Sequence, residues 1–165
     1  MRRYSNTAKE TVVRIRDILR EKGDKVATIG AGRTVHEAVH ELNSHRIGAL
    51  VVTGDDGSVQ GIVSERDVLR MAAETWDDGG DRAARLRDRP VVGIMTREVI
   101  CAVPDDELDY AMGIMTQNRI RHLPIMEEGR LVGIISIGDV VRAHLSEAAY
   151  ENRMLKDYVQ GGGAG

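Results

Sequence analysis

The chain of 165 residues repeats itself, and a repeat constrains a fold more tightly than composition does. Residues 26–70 match residues 99–142, with one residue deleted in a turn. Before the turn the pairs Val26/Val99, Ala38/Ala111, Arg46/Arg119, Ile47/Ile120 and Leu50/Leu123 are identical. After it come Gly57/Gly129, Gly61/Gly133, Ile62/Ile134, Ser64/Ser136, Asp67/Asp139, Val68/Val140 and Arg70/Arg142. These identities bunch at turns and element ends, which marks a duplication rather than chance agreement between apolar runs.

Each copy runs through the same periodicities. A short extended piece (26–29; 99–103) precedes a helix with Val35, Ala38, Val39 and Leu42, or Leu108, Ala111, Met112 and Met115, at helical spacing. Two short apolar strands follow, 49–52 and 59–63 in the first copy, 123–125 and 131–135 in the second. Gly and acidic residues between them are a hairpin signal. A second helix opens at Ser64 or Ser136. One such unit buries too little surface to stand alone. The expected fold is therefore α/β (α+β): two pseudo-symmetric β-α-β-β-α units packed through their sheets. The first unit is placed at 14–70, a linker at 71–91 and the second unit at 92–145, followed at 146–165 by a C-terminal helix and flexible tail. Extra helices are expected at 11–21, with Val12, Ile15 and Leu19 on one face, and at 143–159, with Leu145, Ala148, Leu155 and Tyr158. Within the linker, 76–80 reads as a turn and 82–87 as a short helix.

Composition excludes several classes. Apolar residues make up 42% and charged residues 30%, a globular balance. Phe is absent, so the core must be aliphatic. A net charge of −3 provides no basic field, which argues against a nucleic-acid partner. Cys101 stands alone, so no internal disulfide forms and a reducing compartment suits the chain. There is no apolar run of the roughly 20 residues that span a bilayer. Arg2-Arg3 is followed by no apolar stretch, unlike a secretion signal. A cytoplasmic protein without membrane attachment is the expectation.

The chemistry concentrates in two Ser-x-x-Asp elements, Ser64/Asp67 and Ser136/Asp139. As structure, Ser at a helix N-cap with an acid three residues on is a capping box. As function, the same helix start presents N–H groups and partial positive charge to a phosphate. A carboxylate one turn in accepts hydrogen bonds from ribose hydroxyls, and Gly61 and Gly133 permit close backbone approach. Arg66 adds a fixed, forked cation for a phosphate. A competing motif, His36-Glu37-Ala38-Val39-His40, spells the His-Glu-x-x-His of zinc proteases. Both histidines, however, lie off the apolar stripe of their helix and face outward with no cleft. No metal is expected. Cys101 reads as an inert core thiol and the methionines as aliphatic filler. Gly30-Ala31-Gly32 lacks the third glycine of a dinucleotide fingerprint.

The pairing of Arg46-Ile47-Gly48-Ala49-Leu50-Val51-Val52 with Gly61-Ile62-Val63-Ser64-Glu65-Arg66-Asp67-Val68 resembles the CBS domain, named for cystathionine β-synthase. Asn118-Arg119-Ile120-Arg121-His122-Leu123-Pro124-Ile125 with Gly133-Ile134-Ile135-Ser136-Ile137-Gly138-Asp139-Val140 resembles it again, and Val92-Gly93-Ile94-Met95-Thr96 and Arg16-Asp17-Ile18-Leu19 look like the leads into the two units. The chain is most similar to small stand-alone pairs of such domains, and the resemblance implies a non-enzymatic sensor that binds adenosine nucleotides in clefts between the units. AMP leads the implied ligands, with ADP, ATP, NAD and S-adenosylmethionine behind it. A homodimer and an unnamed effector protein are the implied partners. The implied contacts are Ser64, Arg66, Asp67, Arg121, His122, Ser136, Asp139, Thr28, Gly61 and Gly133. The Asp67 cleft ranks first, because Gly138, Gly48 and Ala49 stand where the Asp139 cleft would need phosphate donors. The rival reading is a scaffolding dimer whose Ser-x-x-Asp elements are helix caps and nothing more.

Overall fold

The computed structural model describes residues 12–23, 25–76 and 87–161. In the first unit, strand β1 (Thr28–Gly30) leads into helix α2 (Val35–His45), hairpin β2 (Ala49–Thr53) and β3 (Val59–Ser64), and helix α3 (Glu65–Trp76). Helix α2 starts where Thr34 accepts the Glu37 N–H and Glu37 accepts the Thr34 N–H, a reciprocal cap. It stops at Arg46, whose φ of 52° turns the chain into β2. Arg119 repeats that turn with φ 54° after helix α4 (Leu108–Gln117). Hairpin β4 (His122–Glu127) and β5 (Arg130–Ser136) then lead into helix α5 (Ile137–Gly161). Both hairpin turns end on a glycine of positive φ, Gly57 or Gly129, as the Gly-acid signals require.

The sheets differ by one strand. Strands order as β1-β2-β3 in the first unit, with β1 parallel to β2, but only β4-β5 pair in the second. The expected extended piece at 99–103 survives as the single bridge Ala102↔Ile125, the counterpart of Ile29↔Val52. Pro124 explains the loss. Its counterpart Val51 donates its N–H to Ala27, and proline has no N–H to give.

Each unit takes its lead from the other unit's place in the chain. Helix α1 (Ile15–Lys22) packs Ile15 and Ile18 into the second core, with Leu123, Ile125, Ile135 and Val140. Val91, Ile94 and Met95, around a short 3-10 turn at Val91–Gly93, pack into the first core with Leu50, Val52 and Val63. The bridges Arg14↔Glu107 and Thr34↔Pro90 fasten the two leads at matching places. Residues 14–22, adjacent to the first unit in sequence, are thus second-unit structure in space.

Further expectations are corrected. The first helix begins at Ile15 rather than 11, and Val12 is exposed while Ile18 is buried. Val39 is exposed, leaving Val35, Ala38 and Leu42 as the buried stripe of α2. The helix expected at 143–159 is the continuation of α5, a single helix of 25 residues, and Leu145 and Leu155 on its expected face are exposed. Trp76 ends α3 rather than opening a turn, and the expected short helix at 82–87 lies almost wholly outside the described residues. Among the described residues no helix is long and apolar enough to cross a membrane.

Candidate functional site

Both Ser-x-x-Asp elements form at the step from the hairpin to the following helix. Ser64 donates its N–H and its hydroxyl to Asp67 Oδ2 at 2.8 and 2.7 Å, and Arg70 Nη2 donates to Asp67 Oδ1 at 2.6 Å. Asp67 is 6% exposed, the one buried polar residue among those described, so its carboxylate is held where charge-assisted bonds count for most. A carboxylate offers about four lone-pair sites, so these three donors leave room for another. In the second element Ser136 donates likewise to Asp139 Oδ2, at 2.8 Å from each group, and Asp139 N–H returns a bond to Ser136 Oγ. Both copies thus have the Ser-to-Asp bonds of a cap, and the second also has the return bond from the Asp N–H.

One cleft of about 290 Å³ opens between the units at the Asp67 element, near the lower end of small-ligand pockets. Ser64, Arg66, Asp67 and Arg70 form one wall, and Arg119, Arg121 and His122 form the facing one. Ile62, Val99, Ile100 and Pro124 supply apolar surface, with Thr96 and Glu98 at the edge. The walls are tied together: Arg66 Nη1 donates to the Arg119 carbonyl at 3.0 Å, across the two units. Four arginines and two acidic residues line the cleft, so it attracts an anion while its apolar surface suits a flat ring.

His122, at the start of β4 and half-buried, packs against Gly48, where a Cβ would stand 2.9 Å from the ring. Burial, helped by the nearby positive charges of Lys22 and Arg121, pushes its pKa below the ordinary histidine value against the pull of Glu65 and Asp139. A neutral ring results near pH 7, able to both donate and accept.

Five expected contacts thus converge in one cleft: Ser64, Arg66, Asp67, Arg121 and His122. Ser136 and Asp139 belong to the other element. Thr28 is exposed on β1 and does not line this cleft. Gly61 and Gly133 do admit a close approach, but to protein: a Cβ at Gly61 would meet Met95 Sδ at 2.6 Å, and one at Gly133 would meet Leu19 Cδ2 at 2.5 Å. They seat the exchanged leads. Arg70, Arg119 and Glu98 are lining residues that motif reading passed over, although Arg70/Arg142 and Arg46/Arg119 are identities of the repeat.

The competing motifs come apart. His36 and His40 are exposed, and Glu37 is bound to Arg33 and Thr34, chiefly the Arg33 guanidinium, which holds its carboxyl at about 2. No group of metal-ligating side chains forms among the described residues. Cys101 is half-buried rather than a core residue, and burial pushes its thiol pKa up, away from reactivity.

The family model for the CBS domain matches residues 15–74 and 91–146. The mitochondrial CBS domain-containing protein CBSX3 of Arabidopsis thaliana is 38% identical over 133 residues, which span 78% of this chain but 61% of that relative. The crystal structure of the CBS-domain containing protein ATU1752 from Agrobacterium tumefaciens superposes with a TM-score of 0.73 at 41% identity, covering 80% of this chain and 99% of that one. PAE2072 from Pyrobaculum aerophilum, a CBS domain protein complexed with AMP, superposes with a TM-score of 0.68 at 29% identity, covering 84% and 99% of the two chains. The duplicated unit, the exchanged leads and these likenesses together make the chain a pair of CBS domains, a member of the CBS-domain family.

Proposed function

We propose that the protein is a non-enzymatic regulatory module that binds an adenosine nucleotide, AMP foremost, in the Asp67 cleft. The observation that carries the reading is the convergence of a buried, preorganised carboxylate with four arginines and apolar surface in one cleft between the units. Asp67 would take the ribose hydroxyls, one at its free lone-pair site and one in place of the Ser64 hydroxyl, and Arg66, Arg121 and the start of α3 would take the phosphate. The complex of PAE2072 with AMP supports the ligand class. Binding would bias the packing of the two units, since the ligand touches both, and an effector protein would read the difference. ADP, ATP, NAD and S-adenosylmethionine share the adenosine and are alternative occupants. Calorimetry with each, beside mass spectrometry of ligand released from fresh protein, tests the reading. Binding of none of them would favour the scaffolding alternative, which the reciprocal capping box of Ser136 and Asp139 supports.

The working unit is proposed to be a C2 homodimer in the cytoplasm. Leu69 on α3 and its repeat counterpart Val141 on α5 are 70% and 46% exposed, matched apolar positions suited to a second copy. Light scattering should return twice the 18.1 kDa of one chain; a monomer would contradict the assembly.

A further inference from the structure

The two Ser-x-x-Asp elements look alike until the leads are added. Leu19 packs on Gly133 as Met95 packs on Gly61, so Leu19 and Met95 occupy matching places. Three residues beyond each stand Lys22 and Glu98, a cation on one side and an acid on the other. Glu98 lines the Asp67 cleft. Lys22 ends α1 and crosses to the second element, where its ammonium donates to Asp139 Oδ2 at 2.6 Å and to the Ile134 carbonyl at 3.1 Å.

The consequences for the two carboxylates differ. Among the described residues Asp67 Oδ2 receives only its own Ser64, and its cation is Arg70, one turn along the same helix, on the other oxygen, Oδ1. Asp139 Oδ2 receives Ser136 twice and Lys22 as well, while Arg142 stays 3.7 Å from Oδ1. The Asp139 side chain is 11% exposed and that of Lys22 39%, so the carboxylate end of the pair is shielded while the ammonium end keeps some contact with water. Burial would raise the Asp139 carboxyl, but Lys22 and the Ser136 donors outweigh it and hold the group below the usual aspartate range.

We propose that Lys22 makes nucleotide recognition one-sided: its ammonium holds the Asp139 carboxylate where a ribose diol would bind, so the chain takes one adenosine nucleotide, at Asp67. This rests on the nucleotide-binding reading above. The residue that decides which cleft is open comes from the lead helix and lies outside the duplicated segment, so the two units carry the same motif with unequal availability. Displacing Lys22 would leave an ammonium and a carboxylate to find new partners, which a neutral diol cannot provide for both.

Calorimetry of the full chain with AMP tests this. Wild type should bind one AMP per chain. Lys22→Met, which keeps the stem and removes the charge, should bind two, and adding Asp139→Ala should return the count to one. Lys22→Gln serves as a second variant, with circular dichroism to confirm the fold of each. Crystals of the variant soaked in AMP should show density beside Asp139. Two AMP in wild type, or one in both folded Lys22 variants, would overturn the proposal and leave the Asp67 reading standing. A wild type that binds no adenosine nucleotide would instead overturn the reading itself, and this proposal with it.

Discussion

Substituting alanine at Gly61 and at Gly133 should separate two contacts that look equivalent in sequence. At Gly133 the new methyl meets Leu19 Cδ2 at 2.5 Å and Cδ1 at 3.1 Å, the far end of a partly buried side chain that can turn aside. At Gly61 it meets Met95 Sδ at 2.6 Å and also the Thr96 carbonyl oxygen at 2.9 Å, which is backbone and cannot. That carbonyl accepts the Ile62 N–H, and Thr96 N–H donates back to Ile62, both at 2.9 Å. Overpacking costs roughly 1–3 kcal/mol. Each lost hydrogen bond adds about 0.5–1.5 kcal/mol. Replacing glycine returns about 0.4–1 kcal/mol through the unfolded chain. Gly61→Ala should therefore destabilise by roughly 2–5 kcal/mol, and Gly133→Ala by about 1 kcal/mol or less. For a chain of this size the first corresponds to a Tm lower by roughly 5–15 °C. Urea and thermal unfolding of both variants measure this directly. A loss at Gly133 equal to or larger than that at Gly61 would mean that the Thr96 backbone gives way as easily as the Leu19 side chain.

His122 and Glu37 give two pH tests. The folded-state pKa of His122 lies below its ordinary value, through burial first and the neighbouring cations second, so the unfolded chain takes up the proton earlier. Stability is then complete above about pH 6.5 and falls as pH drops through and below that value. Tm measured from pH 8 to pH 5 should fall in wild type and flatten in His122→Gln; equal slopes would contradict the assignment. NMR titration should find Glu37 at about 2, with Arg33→Ala moving it up toward the usual carboxylate range, because the Arg33 hydrogen bond is the largest cause.

Much of the fold was legible because duplicated turns and caps are local. Thr34 and Glu37, Arg46 and Arg119, Gly57 and Gly129 act within a few residues, so the pattern 26–70 against 99–142 carried the elements with it. What escaped depends on distance along the chain. Ile15 and Ile18 adjoin the first unit in sequence and fill the second core, and nothing short-range in their own segment says so. The missing strand turned on one residue, Pro124, whose backbone chemistry outweighs the apolar pattern around it. At the site, Ser64, Arg66 and Asp67 followed from a helix start, and Arg121 and His122 from the family likeness. Arg70 and Arg119 were visible as identities, but the same arginines recur as Arg142 and Arg46, so a repeat alone cannot say which copy faces a cleft. Lys22 had no motif at all, since its role exists only once α1 lies on β5.

Whether the buried Asp67 carboxylate recognises ribose or merely caps α3 is decided by comparing AMP with 2′-deoxy-AMP on wild type and Asp67→Ala. Charge-assisted hydrogen bonds from the hydroxyls are each worth about 1.5–3 kcal/mol. Removing the 2′-hydroxyl should therefore weaken calorimetric affinity for wild type by about tenfold or more, a change of about 1.4 kcal/mol per tenfold. Asp67→Ala should bind AMP more weakly by a similar factor and should barely distinguish the two ligands. Equal discrimination by wild type and Asp67→Ala would leave Asp67 as a helix cap and no more.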